Sequence, residues 1–161
     1  MIITQVTLSV LLQDEPSWAV DWIWGCPLIV VTVIIHVLAL GLISQRAISF
    51  YGTTMKHRHP TATFAVVVGA TALLATALHA LETAIWASAY CLIGALPDPK
   101  HAMLYSLGAM TSYGHQNLFL EDHWRLLGAI ESLNGWLLFG LSTAFLFWMI
   151  QEVSPTSQAR R

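Results

Sequence analysis

Long uncharged runs separated by short polar breaks set the pattern of this chain. Residues 22–43 carry no formal charge, nor do residues 61–81, and apolar character resumes after Glu82 as far as residue 96. Residues 126–150 are apolar except for Glu131. Each run is long enough to cross a bilayer, which takes ~20 residues of helix. Residues 101–112 are apolar as well, yet as a helix they reach only about 18 Å, well short of a hydrocarbon core of about 30 Å. The polar stretch YGHQN follows them. A short apolar helix, a polar turn and a spanning run form a re-entrant loop. Irregular backbone at membrane depth survives only where it is buried in protein or lines water. The Pro97-Asp98-Pro99 turn ends the second span and launches the short helix. Residues 1–20 lack a basic start and a clear cleavage site, and read as a surface or interfacial segment.

The expected fold is therefore an all-α membrane protein with three transmembrane helices plus a re-entrant helix. Residues 1–20 form the N-terminal extracytoplasmic segment, and 21–60 an extra transmembrane helix with a basic loop. Residues 61–151 hold the outer helix, re-entrant helix, turn and inner helix, and 152–161 a cytoplasmic tail. Composition agrees: the chain is 56% hydrophobic and 10% charged, whereas soluble domains carry about 25% charged residues. A net charge of −2 gives no basic surface for nucleic acid. Arg46, Lys56 and Arg58 cluster between the first two spans, and Arg160 and Arg161 close the chain. The positive-inside rule then puts the N-terminus outside and the C-terminus in the cytoplasm. Cys26 and Cys91 fall near the same membrane face, where they either pair or pack as small apolar residues.

The polar residues inside the spans are the candidates for chemistry. His36 reads as a neutral packing residue bonded to a neighbour, or as a functional one. His57 and His59 read as part of a basic loop, because two histidines do not fill a metal shell. Ala72, Thr76, Ala80, Ala84 and Ser88 form a column of small side chains against which another helix can pack. His79, Glu82, Thr83, Trp86 and Tyr90 share a different face. An ionisable group in a span needs a partner. His79 and Glu82, three residues apart, can pair with each other, hold a metal or pass a proton. Glu131 and Asn134 lie near the depth of the turn and, with His79 and Glu82, are expected to support it from behind.

Residues 100–151 resemble the pore domain of bacterial two-span potassium channels. Trp124-Arg125 opens the last helix, Gly135 sits at the bend position, and Phe139-Gly140-Leu141-Ser142-Thr143-Ala144 follows without a gap. The resemblance implies a potassium-channel-like pore domain with one extra helix in front, in the bacterial cell membrane. It implies a homotetramer, since one loop cannot surround an axis, and a channel rather than an enzyme. No cofactor is expected beyond the permeant monovalent cation, potassium or sodium. The filter would be Thr111, Ser112, Tyr113, Gly114 and His115. Potassium channels carry Thr-Val-Gly-Tyr-Gly at this place. Aligned through the hydroxyl residues, this chain lacks the Val and Gly before Tyr113. Two extended residues span about 7 Å at most, so fewer carbonyl rings remain and multi-ion conduction weakens.

Further expectations follow from the resemblance. Glu121 and Asp122, repeated in each copy, would concentrate cations at the mouth. Four His115 imidazoles would form a ring that binds a transition metal or blocks when protonated. Alternatively, His115 hydrogen-bonds behind the filter to Tyr113 or Glu131. Gly135, Trp136, Phe139, Thr143 and Phe147 would line the cavity, with Gly135 the bend and a Phe147 ring the dewetting gate; the alternative is that these aromatics face lipid. Two other functions compete. One is a non-conducting membrane sensor or assembly protein that keeps the scaffold. The other is a histidine–metal membrane enzyme, against which stands the placing of His57, His59, His101 and His123 in loops.

Overall fold

The computed structural model describes residues 18–52, 60–114 and 117–154. Among these residues there are four α-helices and no strand. Helix α1 covers Trp18–Phe50, α2 Pro60–Leu92, α3 Pro99–Met110 and α4 Arg125–Val153, the last entered through a 3-10 turn at Asp122–Trp124. Three of them, α1, α2 and α4, are long and apolar enough to cross a membrane. The first two run 33 residues each, or about 50 Å, so both overrun the hydrocarbon core.

Local chemistry sets the ends. Helix α2 opens on Pro60, whose missing N–H costs nothing in a first turn. It closes where Gly94 takes φ +77°, and the Gly94 and Leu96 N–H groups donate back to the Cys91 and Tyr90 carbonyls. Asp98 caps α3, its carboxylate accepting from the Lys100 N–H, and Pro99 takes the first helical position. At the other end of α3, Ser112 adopts φ +55°. A left-handed conformation costs a non-glycine residue ~1–2 kcal/mol. Pro27 lies inside α1, and such a proline is tolerated where neighbouring helices satisfy the freed carbonyl.

Helix α1 buries its polar side, not its apolar one. On α1 the buried residues are Asp21, Gly25, Thr32, His36 and Leu40, while Ile23, Val30, Ile34, Leu38 and Leu42 are exposed. That inversion suits a lipid solvent, in which apolar side chains gain little by association and polar ones must find partners inside. Gly25 lets α1 press against Ile130 and Leu127 of α4. The Asp21 carboxylate faces the Leu127 N–H in the first turn of α4, a helix end without a side-chain cap of its own. One apolar cluster, including Trp86, Tyr90, Met110, Leu127 and Ile130, fills this end of the bundle. A second, of Tyr51, Val67, Met149 and Val153, closes the far end. The short α3 packs between α2 and α4 on the first side.

Candidate functional site

Two glycines of α4 seat α3. A Cβ on Gly128 would collide with the Tyr105 hydroxyl, and one on Gly135 with the backbone of Met110, 2.9 Å from its Cα. The C-terminus of α3 thus meets α4 about 15 Å along from Arg125, near the middle of that helix. There the chain turns. Residues 111–114 are exposed, with Tyr113 89% accessible. The turn curls back so that the Gly114 N–H donates to Gly108 O at 3.2 Å, and Gly114 has φ +75°. The Trp136 indole N–H donates to Ser112 Oγ at 2.6 Å and ties the turn to α4. Below it lies an open cleft of about 330 Å³, lined by Met110, Thr111, Ser112, Trp136, Phe139 and Thr143. Phe147, 64% exposed, is one further turn and a little more along the same helix. His115 lies outside the described residues, as do His57 and His59.

Two buried polar groups tie the helices behind the cleft. Glu131 is fully buried. Tyr90 of α2 donates its O–H to Glu131 Oε2 at 2.6 Å, and Ser106 of α3 pairs with Glu131 Oε1 while donating to Thr83 O at 2.9 Å. One carboxyl group therefore joins α2, α3 and α4, the three helices around the 111–114 turn. Asn134 turns elsewhere, its Nδ2 donating to Thr32 Oγ1 of α1 at 2.9 Å.

A third group sits further along the bundle. His36 Nδ1 lies 2.8 Å from Glu82 Oε1, and His79 Nδ1 lies 3.3 Å from Glu82 Oε2. Ser142 Oγ of α4 contacts both outer nitrogens, His79 Nε2 at 3.0 Å and His36 Nε2 at 3.1 Å. His36 and Glu82 are wholly buried. His79 keeps 12% of its side chain exposed and stacks on Phe139, ring centroids 4.3 Å apart. The partners of His79 and Glu82 are thus on α1 and α4, not on the 111–114 turn.

The remaining sequence candidates fall as follows. Thr76, Ala80 and Ser88 of the small-residue column are exposed, with Ala72 and Ala84 half-buried, so the single chain leaves that face uncovered. Cys26 and Cys91 are free thiols. His101, expected in a loop, sits in the first turn of α3 beside Asp98. Asp122 is paired with Arg125 at 2.6 Å, which offsets part of its charge, while Glu121 stands 3.7 Å from His123. Sequence reasoning missed Ser106, Ser142, Thr32 and the bond from Trp136 to Ser112. Small hydroxyl residues on a membrane helix carry too little signal until their neighbours are known. No protein-family model, curated protein or solved structure matches the chain.

Proposed function

We propose that four copies of this chain assemble in the bacterial cell membrane as a cation channel of the potassium-channel superfamily. The N-terminus lies outside, the filter is short, and discrimination between potassium and sodium is weak. One observation carries the reading. Helix α3 is too short to span, ends against the middle of α4 at Gly135, and hands over to an exposed turn above a cleft lined by α4; with α4 crossing the bilayer, that end lies at membrane depth. Exposed backbone at that depth is costly in lipid and settles only against protein or water. A ring of copies around a wet axis supplies both. The C-terminal carbonyls of α3 then direct negative potential towards the axis, which favours a cation. The turn contributes few carbonyl rings, which is the reason for weak selectivity.

The test is electrical. Purified protein in planar bilayers should pass a cation current whose bi-ionic reversal potential with potassium against sodium lies near zero. A strongly potassium-selective current would refute the short-filter part. Cross-linked tetramers that carry no current in any reconstitution would leave a non-conducting scaffold instead.

A further inference from the structure

His36, Glu82, His79 and Ser142 form a closed ring of four contacts: Nδ1 to Oε1, Oε2 to Nδ1, Nε2 to Oγ, and Oγ to Nε2. Two neutral imidazoles bring one hydrogen each, the serine brings one and the carboxylate none. Three hydrogens serve four contacts, so with both imidazoles neutral one contact lacks a hydrogen, and either an added proton or a cation has to fill it. The ring shows where. His79 Nδ1 and Glu82 Oε2 are buried and neither makes a hydrogen bond, although they stand 3.3 Å apart. Inside a bilayer such a mismatch is expensive.

We propose that this ring is a binding site for a divalent transition-metal ion of the zinc class, held by His36 Nδ1, His79 Nδ1 and the Glu82 carboxylate. A cation there turns the mismatch into coordination, because both Nδ1 atoms and the carboxylate present lone pairs to it. Both Nε2 atoms then carry hydrogen, and both donate to the two lone pairs of Ser142 Oγ. The serine fixes tautomer and ring orientation, as the outer partners of metal-ligating histidines do. The donor set selects the class of ion. Two imidazoles with one carboxylate suit zinc and its neighbours, whereas magnesium and calcium ask for oxygen alone and thiolate-preferring ions for sulfur. Tetrahedral zinc with bonds of about 2.0–2.1 Å separates its ligand atoms by roughly 3.4 Å. Here His36, His79 and Glu82 each bring one ring nitrogen or carboxylate oxygen within 4.8 Å of the others, and the two Nδ1 atoms lie 2.8 and 3.3 Å from the Glu82 oxygens, a spread that side-chain rotation closes. Three protein ligands leave one position for water, and a hydroxide there makes the site neutral. His79 supplies the entry path, since it is partly exposed and stacks on Phe139, which lines the cleft. The site does not depend on conduction, and a non-conducting scaffold would hold it equally.

Full-length protein in nanodiscs, stripped with chelator and titrated with Zn²⁺ alone, should retain one zinc per chain by elemental analysis. Co²⁺ in its place should give the visible bands of a tetrahedral nitrogen–oxygen site. His36→Ala, His79→Ala and Glu82→Gln should each weaken binding at least tenfold, and His101→Ala should not. Ser142→Ala keeps all three ligands and should weaken affinity by about 10–100-fold. It serves as the second arm if a ligand variant fails to fold by circular dichroism. No zinc above background in wild-type protein overturns the proposal. So does zinc that persists in the ligand variants but disappears from a His57→Ala, His59→Ala double variant.

Discussion

Three glycines on α4 should respond to the same substitution in opposite directions. At Gly135 a Cβ would fall against the oxygen, carbon and Cα of Met110, all main chain. Backbone cannot rotate aside, so α3 must move away from α4. Overpacking of this kind costs typically ~1–3 kcal/mol, from which the better helix propensity of alanine returns about 0.8–1.0 kcal/mol. Gly135→Ala should therefore come out destabilised, by up to about 2 kcal/mol. At Gly128 the obstacle is the Tyr105 hydroxyl, the far end of a side chain that can swing. Gly128→Ala should fall between the other two. At Gly140 nothing lies within 4 Å, so Gly140→Ala keeps the propensity gain and should be neutral or stabilised by up to about 1 kcal/mol. Thermal unfolding in detergent, followed by tryptophan fluorescence, ranks the three. Because the end of α3 carries the 111–114 turn, Gly135→Ala should also change cation flux into liposomes while Gly140→Ala leaves it nearly intact. Equal melting temperatures for all three variants would refute the close approach of Met110 to α4. A Gly140→Ala variant as damaged as Gly135→Ala would do the same.

Other perturbations test other parts. Tyr90→Phe removes the donor to Glu131 Oε2 and should cost ~1–3 kcal/mol, the price of a buried acceptor left bare; chemical unfolding measures it. Thr32→Val takes the acceptor from Asn134 Nδ2 and should loosen α1 from α4, read as faster amide hydrogen exchange in both helices. In the proposed tetramer, Phe147→Ser should wet the constriction assigned to the Phe147 ring and raise basal cation leak into liposomes; unchanged leak in a normal tetramer moves the gate elsewhere or removes conduction. Trp136→Phe keeps a ring in the cleft but frees Ser112, and should alter flux with little change in melting temperature.

Hydropathy alone marked the three helices long and apolar enough to cross a membrane, because lipid is a strong and uniform selector of apolar runs about twenty residues long. It also marked 101–112 as too short to span, and α3 is a 12-residue helix at nearly that place. The start of α3 was legible locally too: Pro97-Asp98-Pro99 reads as a turn that launches a helix without any knowledge of neighbours, and the structure adds Asp98 as its cap. The face carrying His79, Glu82, Thr83, Trp86 and Tyr90 followed from helical spacing, and most of it is buried. What spacing could not decide is which polar group meets which. Glu131, Asn134, His79 and Glu82 look like one supporting set in the sequence, being polar residues at neighbouring depths. The fold divides them by the rotation of each helix about its axis. Glu131 turns to α2 and α3, Asn134 to Thr32, and Glu82 to His36. A rotation of one residue step, about 100°, would exchange those partners, and it is set by where the helices touch. Gly25 against Ile130 and Gly135 against Met110 fix those contacts. The histidine–carboxylate ring exists only because three helices converge there, bringing His36, Glu82 and Ser142 from distant parts of the chain within hydrogen-bond reach.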